Sequence, residues 1–261
     1  MKRVLTAIQG LLMALAAIFT VSFILTIIKS TFILATGLHD TSPEIDYCLM
    51  VLAVMISIIL FYLWYRRFML GSWLERTEPK KIFTLKNIGI FLMIGIGCQL
   101  FAAGVLSLIK PLLENLFAYY DETMSSLFAG DPIVVAVYVI ILAPVVEELM
   151  IRGIMYGKIR QGIPFMAANL LQAAVFGIYH MDFIQGIYTF AIGLLLGYIY
   201  EKAGTLLAPI VVHIIINGSG VLLDLPYIGP YIPIPLAIAI GAVLLPTGII
   251  LFRKNNTFNK A

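Results

Sequence analysis

Eight apolar runs of bilayer-spanning length organise the 261-residue chain. They lie near 4–28, 47–65, 88–109, 132–151, 163–181, 184–200, 205–223 and 232–252. A hydrocarbon core of about 30 Å takes roughly 20 residues of helix, and lipid offers no partner to an unpaired backbone group. The expected fold is therefore an all-α, polytopic membrane bundle of about eight transmembrane helices. Composition agrees, with 61% hydrophobic and 12% charged residues, where soluble domains carry about 25% charged. The first run is too long for the h-region of a cleaved signal, so insertion is expected to begin with a retained helix. No linker separates the runs, and residues 1–261 read as one integral-membrane domain.

The charges that remain are unevenly placed. Counting alternate connections, one side of the membrane collects Lys2, Arg3, Arg66, Arg67, Arg76, Lys80, Lys81, Lys86, Arg152, Lys158, Arg160, Lys202, Arg253, Lys254 and Lys260. The other side has only Lys29 and Lys110. The positive-inside rule places both termini in the cytoplasm, with the acidic loop 39–46 and the segment around Asp121, Glu122 and Asp131 outside. These basic residues set orientation and give no sign of a nucleic-acid partner; the bilayer is the expected one. The loop 73–86 reads as a solvated anchor, and 111–130 as an amphipathic helix along the outer interface. Cys48 and Cys98 fall inside apolar runs without CxxC spacing, against a disulfide framework or a cysteine-ligated metal.

The chemistry-bearing residues are polar groups inside the spans. VVEELMIRG (145–153) places Glu147 and Glu148 side by side, and Glu148 stands four residues before Arg152 on the same helical face. That spacing suits a self-neutralising pair. Glu147 has no basic residue three or four positions away, and a carboxylate inside a membrane bundle is by default a functional candidate. Two of the three histidines also lie in apolar runs: His180 in AAVFGIYHMDF and His213 in LLAPIVVHIIING, with Asn217 one turn further on the same face. Interhelical hydrogen bonding accounts for such residues in many helices. As a set, a carboxylate and a histidine can hold and deprotonate one water, while a second histidine and an amide can donate to an oxyanion. The same glutamate and histidines can instead ligate Zn²⁺. Both routes lead to hydrolysis of a carbonyl compound. No serine-nucleophile motif, glycine-rich phosphate loop or HExxH is present.

EELMIR (147–152) fits EExxxR, FGIYH (176–180) fits FxxxH and HIIIN (213–217) fits HxxxN. Three motifs in this order resemble the CAAX-protease and bacteriocin-processing family of intramembrane endopeptidases, also called the Abi family. The resemblance covers roughly 130–220, which it marks as the catalytic core. It implies cleavage of a peptide bond close to the cytoplasmic leaflet. By the same resemblance Glu147 activates the water with His180, His213 and Asn217 stabilise the oxyanion, and Glu148 with Arg152 supports them. The family is often described as metalloproteases, and a metal-free, glutamate-activated water has also been put forward for it. Asn217 is a poor zinc ligand, which favours the metal-free form. The substrate class implied is a membrane-associated C-terminal tail or a bacteriocin-like peptide, in a multi-pass protein of a bacterial plasma membrane.

Depth places one demand on this reading. Glu147 falls about 22 Å from the outer end of its helix, near the cytoplasmic side, whereas His180 counted from Ile163 falls about 25 Å from the cytoplasmic end. A shorter fifth helix starting nearer Ala168, after an interfacial turn at 162–165, removes the mismatch and predicts that its end lines a water-filled cavity. Two other classes use the same residues: an ion-coupled transporter with a midplane site, and a non-catalytic immunity-type membrane protein.

Overall fold

A computed structural model describes residues 2–68, 72 and 74–255. Lys260 and Ala261, at the terminus expected in the cytoplasm, lie outside the described residues. Every regular element among the described residues is helical. They are α1 (Lys2–Thr36), α2 (Pro43–Phe68), α3 (Leu85–Ile109), α4 (Glu114–Leu127), α5 (Pro132–Ile159), α6 (Phe165–Tyr179), α7 (Phe183–Ala203), α8 (Leu207–Leu223) and α9 (Ile234–Arg253). Each of the eight apolar runs coincides with one of them. Six are long and apolar enough to cross a membrane, and the shorter α6 and α8 have 15 and 17 residues. The chain is a multi-pass membrane protein.

The helices group into two compact units, each drawn from two stretches of chain: residues 1–70 with 123–168, and 71–122 with 169–261. In the first, α1 and α2 pack on the second half of α5. In the second, α3 lies against α9 and α8, around a core of Phe91, Ile94, Leu196, Ile199, Val212 and Phe252. Glycines let the backbones of α3 and α9 approach: a Cβ on Gly241 would stand 2.8 Å from Gly97 O. Membrane helices associate through such small-residue contacts because lipid supplies no hydrophobic drive.

The 73–86 loop does more than sit in solvent. The backbone N–H groups of Arg76 and Thr77 donate to Gly204 O, and Arg76 Nη2 donates to the carbonyls of Glu201 and Lys202. Glu75 Oε1 accepts from Leu206 N at 2.9 Å. These bonds satisfy orphan carbonyls at the end of α7 and an orphan amide at the start of α8, beside Gly204 with its left-handed φ of 64°. The loop thereby fixes the α7–α8 turn, and with it the start of the helix carrying His213 and Asn217.

α5 is not a regular α-helix. Two π-helical stretches, Tyr138–Leu142 and Leu149–Tyr156, bracket the α-helical turn Ala143–Glu148. Pro144 supplies a cause for the first. It lacks an N–H and its ring crowds the preceding turn, and the ladder adjusts so that Ala143 N bonds Tyr138 O, five residues back.

Candidate active site

Within the first unit, α5 carries the EExxxR motif. Arg152 Nη1 donates to Glu148 Oε1 at 2.9 Å, with both side chains fully buried. The i,i+4 spacing read from the sequence is thus a real ion pair. Its burial changes its meaning: a pair taken wholly out of water organises the helix, and losing either partner strands a buried charge. Glu147 points to a different side of α5 and is half-buried. The Arg152 guanidinium also lies within electrostatic reach of Glu147, so the local neutralisation extends beyond the pair that spacing alone suggests. The π-helical turn begins at Leu149, directly after the two glutamates, and π-bulges recur at functional sites.

Within the second unit, the FxxxH and HxxxN motifs meet through one aromatic ring. Phe176 makes an edge contact with the His180 ring at 4.8 Å between centroids and with His213 at 5.9 Å. His180 Nδ1 donates to Phe176 O at 2.7 Å. A carbonyl can only accept, so this bond fixes the neutral tautomer with its lone pair on Nε2. Nε2 is then the atom able to take a proton. His213 is buried, and Asn217 is half-buried one turn along α8.

His180 does not sit inside a helix. α6 starts at Phe165, between the two starts the sequence allowed, and ends at Tyr179, spanning only about 22 Å. The helix is short as expected, but it begins three residues before Ala168, and the turn occupies 161–164 rather than 162–165. His180 opens a three-residue corner in which Met181 has φ 56°. A methionine held in the left-handed region is strained, and such strain concentrates at functional sites. Asp182 ends the corner by capping α7 through Gln185 N at 2.6 Å.

Two residues escaped the sequence reading. Gln172 Nε2 donates to Gly193 O and to Asn169 Oδ1, both at 2.8 Å, and Asn169 Nδ2 donates to Leu194 O at 3.0 Å. This amide ladder fastens α6 to α7. The glycine pair GLLLG (193–197) was the available signal, being a small-xxx-small face. At the corner end, α6 and α7 nearly touch: a Cβ on Gly177 would stand 2.6 Å from Gly186 O.

Among the described residues, neither unit brings together three His, Cys, Asp or Glu side chains able to hold an ion.

Residues 129–219 match the family described as Type II CAAX prenyl endopeptidase Rce1-like. The matched segment contains all seven fixed residues of the three motifs, from Glu147 to Asn217. This segment is similar to CAAX prenyl endopeptidases, the same likeness that the three motifs carry. A relative named "Putative membrane peptidase YdiL", from Bacillus subtilis (strain 168), is 26% identical over 167 residues, covering 60% of this chain and 67% of its own length. No solved structure matches. These likenesses support a membrane protease as the coarse description of the chain, and helices α1–α4 and α9 lie outside the matched segment.

Proposed function

We propose that the chain is an intramembrane endopeptidase in which Glu147 is the general base for a water molecule. The water donates one hydrogen bond to the Glu147 carboxylate and one to His180 Nε2, leaving its lone pair to attack the scissile carbonyl carbon. Glu147 takes the proton as the O–C bond forms. His213 and Asn217 donate to the tetrahedral oxyanion, whose stabilisation is the larger part of such catalysis. Glu147 then returns the proton to the amide nitrogen, the C–N bond breaks, and an acid and an amine leave. Each proton is accounted for without a second nucleophile.

The observation that carries this reading is the sorting of the two carboxylates inside the family segment. Glu148 is committed to Arg152 in a fully buried pair, while Glu147 is half-buried on another side of α5. The Nδ1–H bond of His180 to Phe176 O supports a basic Nε2. The half-buried position of Asn217 and its amide chemistry support a donor role rather than a ligand role.

The test compares new N-termini in membranes of cells making the wild-type chain or Glu147→Gln. Peptides cut only by the wild type, and lost in Glu147→Gln and His180→Ala at equal protein level, are expected. Unchanged cleavage in Glu147→Gln would sink the assignment. On a peptide identified in this way, activity is expected to survive exhaustive chelation. Stoichiometric zinc in the purified protein, with activity lost on chelation and restored by zinc alone, would replace the metal-free scheme.

A further inference from the structure

Two cavities in the first unit share a wall and differ in chemistry. One, of about 610 Å³, is lined by Arg3 and Thr6 of α1 and by Arg160, Gln161 and the 162–164 turn after α5. The other, of about 500 Å³, is lined by Leu12 and Met13 of α1, Trp64 and Phe68 of α2, and Ile154 and Lys158 of α5. Gln161 borders both, and among the described residues no carboxylate lines either.

We propose that this double cleft binds one anionic glycerophospholipid, with its phosphate between Arg3 and Arg160 and an acyl chain along Leu12, Met13 and Phe68. The polarity gradient follows a row that winds about half a turn around α1. Arg3, Thr6 and Gln9 follow one another at three-residue steps, and Leu12 and Met13 continue the stripe. From Arg3 to Met13 the helix rises about 15 Å, half of a 30 Å hydrocarbon core and so about one leaflet. Three cations facing the two cavities without a lining carboxylate leave a local positive potential that an anion relieves. Arginine matches a phosphate better than a point charge does, because its fork offers paired donors.

The walls are built rather than incidental. A Cβ on Gly10 would stand 3.1 Å from Met155 O, so α1 lies directly on the end of α5. Arg160 Nη1 also donates to Ile163 O, which ties the guanidinium to the turn it shares with the cavity. Neither cavity contains a residue of the proposed proteolytic set, so lipid binding stands or falls independently of that reading.

The experiment uses the full chain in mild detergent, with dioleoyl phosphatidylglycerol, dioleoyl phosphatidylcholine and inorganic phosphate as separate probes. Native mass spectrometry reads retained lipid, and Tm reads stabilisation. Phosphatidylglycerol is expected to stay bound and raise Tm, whereas phosphatidylcholine and phosphate alone do not. Arg3→Gln and Arg160→Gln should each weaken phosphatidylglycerol retention about fivefold, the effect of one basic residue at an anionic lipid surface. Met13→Trp, which fills the apolar half, should lower it with both arginines intact. Arg3 is exposed in the first turn of α1, so Arg3→Gln stays informative if Arg160→Gln folds poorly. Equal retention of the two lipids overturns the proposal, as does undiminished retention in Arg3→Gln. A rise in Tm with phosphate alone as large as with phosphatidylglycerol replaces the lipid by a soluble phosphate ligand.

Discussion

At the scale of single residues, adjacent carboxylates on one helix have different surroundings because the helix turns between them. Glu148 reaches Arg152 at 2.9 Å and both are sealed from solvent. Removing one partner of such a pair costs about 3–5 kcal/mol, more than a surface ion pair contributes. Glu148→Gln is therefore expected to lower Tm sharply, and the double replacement Glu148→Leu with Arg152→Met to recover most of the loss. Glu147→Gln should melt close to the wild type. These outcomes are read by thermal unfolding in detergent, and a wild-type Tm for Glu148→Gln would show that Arg152 finds other compensation. The pairing was legible from spacing alone. The part of Phe176 was not: as the first letter of FxxxH it looks like core, and only the fold shows its ring against both His180 and His213.

At the scale of elements, the position of His180 depends on the α6–α7 hairpin. Two devices hold it, and their expected costs differ. Polar bonds between membrane helices average about 0.6 kcal/mol, so Gln172→Leu, which loses bonds to Gly193 O and Asn169 Oδ1, should cost roughly 1 kcal/mol. Gly177→Ala instead forces a methyl toward the Gly186 carbonyl, where overpacking typically costs about 1–3 kcal/mol. The alanine variant is expected to melt lower than the leucine variant. The reverse order, measured in the same detergent, would mean that the amide ladder and not the close approach sets the hairpin. Apolar run length gave the existence of all eight helices, and depth reasoning gave the shortness of α6. The π-helical stretches in α5 were not legible, since hydropathy is blind to a one-residue change in ladder register; Pro144 was the single local hint. The docking of residues 75–77 on the α7–α8 turn was equally hidden, because its partners lie about 130 residues away and the charges of the loop look the same solvated or bonded.

At the scale of the whole molecule, the charge asymmetry is sharper than the count of basic residues implies. The two lysines on the sparse side are each neutralised: Lys29 pairs with Asp46 and Lys110 with Asp121, both at 2.7 Å. Within each unit the basic residues also gather at one end. Arg3 and Arg160 line one cavity where α1 begins and α5 has just ended. In the other unit Asn255, after α9, donates to Asn87 at the start of α3, while Arg76 reaches the end of α7. Those ends carry Lys81, Lys86, Lys202, Arg253 and Lys254. Six long helices, or eight with α6 and α8, are both even numbers, so either count returns the chain to its starting side. Reporter fusions at Lys80 and after Ala261 are therefore expected to read cytoplasmic, and one at Glu44 external, by the positive-inside rule. Replacing Asp46 and Asp121 with asparagine should weaken this bias, since each frees a lysine on the sparse side, although acidic residues count for little in orientation and the majority should remain as in the wild type. An external reading after Ala261 would require an odd number of crossings. Either α6 or α8 would then fail to span alone.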